Sequence, residues 1–144
     1  MIVALIGESC TGKSTLADRL QREKGATVFI GKDYLRMAKN EQEAAKLFTE
    51  LLAKPTDQLL VYVISEDSQL HFLPEHAQRI IITADLATKK TRFSKRMNGQ
   101  LPEPVCRMLE RNHGLFDKEA AQLRIDTSFL SIEEAAEQLL QFLS

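Results

Sequence analysis

The sequence has no tryptophan, two cysteines and few aromatic residues, which make up 6% of its 144 residues. Cys10 and Cys106 have neither metal-site spacing nor the number that a disulfide framework needs, so we expect two reduced thiols. No apolar run approaches the length of a membrane span, and no basic leader precedes the first apolar segment. We therefore expect a cytoplasmic protein that has no membrane partner.

The net charge is also small, at −1, but the charges are unevenly distributed. Between Asp85 and Arg111, seven basic residues stand against three acidic ones. A nucleic-acid groove usually needs a wider basic surface with interleaved aromatic residues, so we expect no nucleic-acid partner. With 44% hydrophobic and 27% charged residues, the chain has the composition of one compact domain, residues 1–144. A monomer is the simplest expectation.

Short apolar runs alternate with helical patterns along the whole chain. Strands are predicted at 2–6, 27–30, 59–64, 79–83 and 123–126. Helices are predicted after the glycine loop to about Glu23, at 86–97, at 103–111 and from Ser131 onward, with a helix or helix pair between Lys32 and Pro55. Ser131 and Glu134 form a capping box for the last helix. This alternation favours an α/β fold of three layers, a doubly wound domain with a five-stranded parallel sheet.

The most specific pattern in the chain is G-x-x-x-x-G-K-[ST], which runs from Gly7 to Ser14. It follows an apolar strand and precedes a helix, which is the context of a phosphate-binding loop. Lys13 would bridge the outer phosphates of a nucleotide, and the Ser14 hydroxyl would ligate Mg²⁺. The alternative is a glycine turn with an ordinary lysine. The predicted nucleotide-binding residues are Gly7, Glu8, Ser9, Cys10, Thr11, Gly12, Lys13, Ser14 and Thr15.

Polar residues follow the second and third predicted strands, where ligands gather in a parallel sheet. Arg36 suits an anionic acceptor, and Asp33 could orient the water shell of a metal ion or accept a proton. A helix-capping aspartate and a surface arginine are the alternative. Glu66 and Asp67 follow strand three, where phosphate-loop proteins place an acid for the metal or the attacking group. Because they are adjacent, one of them points inward; Glu66 is the preferred candidate, and a simple polar strand exit is the alternative.

Two basic stripes follow strand four. Lys89, Arg92 and Arg96 are spaced three and four apart, so they share one helix face, and Arg107 and Arg111 form a second stripe after a proline-containing loop. Two arginine stripes joined by a loop are typical of a lid that brings positive charge to transferring phosphates. Solvated helix faces are the alternative.

On these residues, the chain resembles the small P-loop kinases of nucleosides, nucleotides and related metabolites, especially the adenylate and cytidylate kinases, along nearly its whole length. Gly31 to Arg36 resembles the segment with which nucleoside monophosphate kinases hold the acceptor phosphate, which implies that role for Arg36. Arg92 and Arg96 match the two arginines at the start of the lid, the first of which often stacks on the adenine of ATP. Residues 103–111 resemble the helix that leaves the lid.

The end of the chain is similar to cytidylate-type kinases as well. Residues 125–128 and 130–134 resemble the last strand and final helix of those enzymes, where the intervening loop borders the adenine. The departures concern the acceptor side. Ser65-Glu66-Asp67 stands in place of the Asp-Gly-Phe-Pro-Arg of adenylate kinases, and the Gly-Gly-Gly and Asp-x-Asp patterns of shikimate kinases are absent.

The resemblance implies an ATP- and Mg²⁺-dependent kinase that transfers the γ-phosphoryl group to a small-molecule acceptor, first of all a nucleoside monophosphate. It implies an acceptor-binding helical segment at 31–56 and a short lid at 92–112. Two alternatives stay open: a kinase of a non-nucleotide metabolite, like shikimate kinase, and a regulatory nucleotide-binding module or slow ATPase. The implied catalytic residues are Lys13, Asp33, Glu66, Arg92, Arg96, Arg107 and Arg111, with Arg92 also on the base and Asp33 and Arg36 on the acceptor.

Overall fold

The five predicted strands form one parallel sheet in the computed structural model, which describes residues 1–144. The strands are β1 (Ile2–Ile6), β2 (Thr27–Ile30), β3 (Leu60–Ile64), β4 (Gln78–Thr83) and β5 (Leu123–Asp126). Their order is β2-β3-β1-β4-β5, so β1 is central and carries the start of the Gly7–Ser14 motif at its carboxyl end. All four pairings are parallel. The doubly wound fold is therefore confirmed, and each strand begins and ends within one residue of its predicted bounds.

Five α-helices cover the sheet: α1 (Lys13–Lys24), α2 (Glu41–Ala53), α3 (Leu86–Arg96), α4 (Glu103–Asn112) and α5 (Ile132–Leu143). None of them combines the length and the apolarity that crossing a bilayer requires. A 3₁₀ helix, Asp33–Met37, precedes α2, so the region between Lys32 and Pro55 is a helix pair. The second helix of the pair begins after Asn40, whose side-chain oxygen accepts from the Glu43 N–H and so caps α2.

A second 3₁₀ helix, Asp67–Phe72, lies between β3 and β4, where the sequence predicted neither a helix nor a strand. The Gln69 side chain folds back on the end of β3 and accepts hydrogen bonds from the N–H groups of Ser65 and Glu66, at 3.2 and 3.4 Å. The Gln69 side chain thus pairs with two backbone N–H groups at the start of this helix. The six-residue helix is too short to show a hydrophobic periodicity, so the sequence did not predict it.

The sheet buries both of its faces, and alternate residues of β1 serve the two cores. Ile2, Ala4 and Ile6 pack with α2 and the 3₁₀ helices, whereas Val3 and Leu5 pack with α1 and α5. No residue of β1 is more than 2% exposed. The continuous apolar run in the sequence is the signature of such a strand.

An aromatic cluster fixes the side of the sheet that carries β2 and β3. The ring of Phe48 lies within 5.5 Å, between ring centroids, of Phe29, Tyr34, Tyr62 and Phe72. The Tyr62 hydroxyl donates to the Gly31 carbonyl at 2.7 Å. Burial raises the pKa of the Tyr62 phenol, so this hydroxyl stays a donor over the ordinary pH range. The cluster therefore holds the carboxyl end of β2 in place.

Phe48→Ala should lower the free energy of unfolding by about 3–5 kcal/mol, because it leaves a cavity at the centre of the aromatic cluster. Urea denaturation would measure the change. Phe129→Ala is the matched control: the Phe129 ring is 90% exposed, so the expected change is within about 0.5 kcal/mol. Equal losses in the two variants would contradict this account of the core.

Candidate active site

The Gly7–Ser14 motif forms the turn between β1 and α1, and a larger residue would be disfavoured at each of its two glycines for a different steric reason. A Cβ on Gly7 would lie 2.3 Å from the carbonyl oxygen of Ile82 in β4 and 2.9 Å from Thr11 Oγ1. Gly12 has a φ of 101°, in the left-handed region, and begins α1 as its N-cap. The first glycine lets the loop lie against the sheet, and the second lets it turn into the helix.

The loop leaves a row of backbone donors unpaired. No N–H from Glu8 to Thr15 donates to an acceptor within the chain, whereas the Gly7 N–H before the row donates to Ile64 and the Leu16 N–H after it donates to Gly12, both at 3.1 Å. No side chain caps α1. Successive free N–H groups at a helix N-terminus favour an anion such as phosphate.

Lys13 lies beneath these donors and is 5% exposed. Its ammonium donates to the Glu8 carbonyl at 2.7 Å, and the Thr11 hydroxyl donates to the same oxygen at 2.9 Å. Burial lowers the pKa of Lys13 to about 8, although the attraction of the nearby Glu8 carboxylate acts in the opposite direction. A phosphate group beside Lys13 would favour its charged form.

Ser14 is the residue that fits a magnesium ion. It is exposed in the first turn of α1, and no hydrogen bond engages its hydroxyl. The structure has no group of three or more His, Cys, Asp or Glu side chains that could hold a metal ion. Because Mg²⁺ in phosphate-transfer sites takes few protein ligands and relies on phosphate oxygens and water, this chain fits the ion only together with a nucleotide.

Lys89 is buried, so it does not share the basic surface that the sequence predicted for Lys89, Arg92 and Arg96. Its side chain is fully buried, and its ammonium donates to Glu8 Oε1 at 2.9 Å. The Gly114 N–H donates to the same oxygen at 3.0 Å. Burial alone would raise the pKa of the Glu8 carboxyl, but the hydrogen bonds from Lys89 and Gly114 outweigh it and hold this pKa below its ordinary value. Glu8 and Lys89 thus form a buried ion pair between the loop and α3.

Arg92 joins the loop to the connection between β5 and α5. Its guanidinium donates to the Cys10 carbonyl at 3.0 Å, and to Thr127 Oγ1 and the Thr127 carbonyl at 3.0 and 2.7 Å. Thr127 Oγ1 in turn donates to the Thr11 carbonyl at 2.7 Å. Arg96 reaches the same region, because its Nη1 lies 3.8 Å from Cys10 Sγ. The structure therefore brings both predicted lid arginines of α3 to the loop.

A cavity of about 180 Å³ opens between these arginines and the start of α5. Aliphatic side chains lie among its lining residues together with the two guanidinium groups, surfaces on which a planar base can stack. A cavity of about 350 Å³ beside Met1, Lys54 and His76 is larger, but no loop residue lines it. The smaller cavity is lined by Gly12, Thr15, Arg92, Arg96, Thr127, Leu130, Ser131, Ile132 and Ala135.

The two predicted carboxylates lie on the β2 and β3 side of the sheet. Asp33 Oδ2 accepts from the Ile30 N–H at 2.9 Å and closes the turn after β2. The charges of Tyr34, Asp33 and Glu66 follow burial among the causes that raise the pKa of Tyr62. Arg36 is exposed nearby in the 3₁₀ helix and forms no ion pair.

Gln69 is a site residue that the sequence did not reveal. It is 5% exposed, and its Oε1 is engaged by the turn after β3. Its Nε2 makes no hydrogen bond and lies 3.6 Å from where a Cβ on Gly31 would be. Because no fully buried side-chain nitrogen or oxygen lacks a partner, Nε2 is at least partly accessible to solvent. It offers a fixed amide donor between the ends of β2 and β3, and a lone glutamine in a polar stretch carries no sequence signal for that role.

The arginines of α4 do not reach the loop. Arg107 pairs with Glu103 on the exposed surface of its own helix, at 3.3 Å, and Arg111 is exposed without an ion pair. Lys90 of α3 pairs with Glu110 of α4 at 2.7 Å, so the two helices stay together. A catalytic role for Arg107 and Arg111 remains a prediction, and it would require α4 to move.

No known protein-family model and no curated protein sequence matches the chain, but solved structures match along its whole length. An uncharacterised protein from Eubacterium ventriosum superposes with a TM-score of 0.72 at 17% identity, covering 99% of this chain and 98% of the other. A gluconokinase from Sinorhizobium meliloti superposes with a TM-score of 0.64 at 13% identity, covering 99% of this chain and 96% of the other. A shikimate kinase from Acinetobacter baumannii in complex with shikimate superposes with a TM-score of 0.65 at 17% identity, covering 99% of this chain and 92% of the other. The chain therefore has the P-loop kinase fold, as its sequence predicted.

Nucleotide affinity should fall as the pH rises above about 8, because the free Lys13 is then mostly neutral and binding must take up a proton. The expected loss approaches about tenfold per pH unit at the alkaline end. Titration of a fluorescent ATP analogue between pH 7.5 and 9.5 would measure it. In the control Lys13→Arg, the side chain stays charged, so its affinity should not vary in this range. A wild-type affinity that is flat over the same range would contradict the prediction.

Proposed function

We propose that this protein is an ATP- and Mg²⁺-dependent kinase that transfers the γ-phosphoryl group of ATP to a small acceptor. The observation that carries the proposal is the row of unpaired N–H groups from Glu8 to Thr15, with the buried Lys13 beneath it. Such a donor set matches the phosphate chain of a nucleoside triphosphate. The fold, which a gluconokinase and a shikimate kinase share, supports this class of reaction.

The donor would occupy the loop and the cavity beside it. The loop N–H groups and Lys13 hold the β- and γ-phosphates, and the base enters the cavity that lies against Arg92 and Leu130. Ser14 is the protein ligand of the magnesium ion. When bound, this ion neutralises phosphate charge, whereas the protein holds the donor in place and excludes water.

Transfer needs an in-line approach and positive charge around the γ-phosphoryl group. An oxygen of the acceptor forms a bond to the γ-phosphorus while the bond to the oxygen that bridges the β- and γ-phosphorus atoms breaks, and ADP leaves. Where the acceptor is a hydroxyl group, its proton passes to the carboxylate of Asp33 or Glu66. Lys13 and Arg96 supply charge to the transferring group, so catalysis here is mainly positioning and electrostatics.

The first candidate acceptor is a nucleoside monophosphate, whose phosphate Arg36 would hold. Arg36 supports it because its guanidinium is exposed and free of ion pairs on the 3₁₀ helix that follows β2. A planar fork of donors is well suited to bind a phosphate group.

A second candidate is a small hydroxylated metabolite, and the Gln69 amide favours it. Asp33 and Glu66 can accept hydrogen bonds from hydroxyl groups, and Gln69 Nε2 can donate to a hydroxyl oxygen. A dianionic acceptor would meet these two carboxylates with a single nearby arginine to balance them, whereas a hydroxylated acceptor would meet no such repulsion.

An acceptor panel tests the proposal directly. The protein would be incubated with Mg-ATP and with nucleoside monophosphates, sugar acids, polyols or hydroxy acids, and phosphorylated products identified by mass spectrometry. A phosphorylated nucleotide supports the first acceptor, and a phosphorylated hydroxyl compound supports the second. Folded protein that binds ATP but forms no product with any acceptor would contradict the kinase and favour a regulatory module or slow ATPase.

Arg36→Ala should raise the KM for a phosphate-bearing acceptor by about tenfold or more, because a charged hydrogen-bond partner is lost. ATP affinity should not change, since Arg36 makes no contact with the phosphate loop. Steady-state kinetics at saturating ATP would measure the effect. Lys39→Ala removes an exposed positive charge three positions away and is the matched control. Equal effects of the two substitutions would contradict the role of Arg36.

A further inference from the structure

The carboxylate of Glu8 holds both ends of the lid, residues 92–112. One oxygen, Oε1, accepts from Lys89 Nζ at 2.9 Å and from the Gly114 N–H at 3.0 Å. Lys89 lies on α3 just before the lid begins, and Gly114 follows α4 just after the lid ends. A single atom therefore fixes the entering and the leaving segment to the phosphate loop.

The backbone of the same residue serves the phosphate site. The Glu8 carbonyl accepts from Lys13 Nζ and from the Thr11 hydroxyl. Glu8 thus contacts the lid through its side chain and the phosphate-binding lysine through its main chain. Arg92 ties α3 to the loop a second time, but the bond to Gly114 is the one hydrogen bond between the loop and the segment that leaves the lid.

A buried carboxylate in an anion-binding loop needs a physical reason. Glu8 is 5% exposed, and its negative charge acts against a bound triphosphate. Its position also requires that Lys89 be buried beside it. A buried ion pair is by itself weak evidence for added stability, because removing two charges from water costs free energy. The geometry indicates a different gain, which is the fixed position of the lid.

We propose that Glu8 is a positioning residue that fixes the base of the lid to the phosphate loop, so that only the tip between α3 and α4 moves when nucleotide binds. The tip has the backbone for such a hinge: Asn98 and Gly99 both have positive φ, at 57° and 88°, and residues 97–100 are exposed. The inference rests on nucleotide binding at the loop, as in the proposed function, and not on the identity of the acceptor.

The fixed base has a consequence for Arg96. Arg96 lies on α3 about two turns beyond Lys89, so loss of the Lys89 contact leaves Arg92 as the remaining hydrogen-bonded tie between α3 and the loop and fixes the Arg96 guanidinium less firmly. Phosphoryl transfer depends on such positions, whereas the loop N–H groups that bind the phosphates stay in place. Loss of the Glu8 contacts should therefore lower kcat more than it raises the KM for ATP.

The double variant E8Q/K89M separates positioning from folding. The glutamine oxygen can still accept from Gly114, and replacing a buried ion pair by a neutral pair of similar volume is often tolerated. E8D is a second variant, which keeps the charge but shortens the side chain by one methylene and so withdraws it from both partners. The control K90M/E110Q removes an exposed ion pair between α3 and α4 that does not touch the loop.

Amide hydrogen exchange would be measured with and without a Mg²⁺ complex of a non-hydrolysable ATP analogue. In the wild type, protection gained on binding should be confined to the loop and the tip. In E8Q/K89M, which keeps the Gly114 contact, amides of α3 should exchange about tenfold faster without nucleotide, and in E8D those of both α3 and α4 should, while β1 and β3 remain unchanged. The control should exchange like the wild type at the base of α3.

Unchanged exchange in α3 and α4 would overturn the inference, and so would faster exchange spread equally over the sheet, which would mean that the pair only adds global stability. Turnover with the acceptor found by the panel, or slow ATP hydrolysis, gives the kcat and KM values. Equal changes in both would also contradict a positioning role. A wild type that binds no nucleotide would contradict the proposed function, but exchange in its nucleotide-free state would still decide the role of Glu8.

Discussion

The phosphate loop keeps its N–H groups unpaired because its carbonyl groups are paired with the protein. Side chains and the first turn of α1 donate hydrogen bonds to the loop carbonyls, whereas the loop N–H groups have no acceptor in the chain. Unpaired donors cost free energy, and the contacts that offset this cost come from α1, α3 and the connection after β5. The carbonyls accept from Lys13 and Thr11 at Glu8, from Arg92 at Cys10, from Thr127 at Thr11 and from Leu16 at Gly12.

The sequence predicted the fold closely because the buried strands and the helix ends carry local signals. The strand β1 is apolar on both faces, and the capping box of Ser131 and Glu134 makes both of its hydrogen bonds. The 3₁₀ helix Asp67–Phe72 lacked such a signal, since it depends on where the Gln69 side chain turns. Local patterns thus specify elements, but not the side-chain contacts that shape the crevice between them.

The site was predictable only in part, for a related reason. The glycine and lysine spacing located the loop, but the partners of the loop lie far away in sequence: Lys89 is 81 positions from Glu8, and Thr127 is 116 from Thr11. Spacing placed Lys89 on the same helix face as Arg92 and Arg96. It did not show that the first turn of this face packs under the loop, which makes Lys89 a structural partner of Glu8 and leaves Arg92 and Arg96 beside Cys10.

The loop and Lys13 carry an unfavourable free energy that a phosphate ligand would reduce. Burial disfavours the Lys13 ammonium, and the N–H groups from Glu8 to Thr15 have no protein acceptor. A bound phosphate satisfies the donors and favours the charged lysine together, so part of the binding free energy comes from relieving the free protein. Because a ligand that binds only the folded chain also stabilises it, a phosphate ligand at this loop would link its own affinity to the stability of the fold.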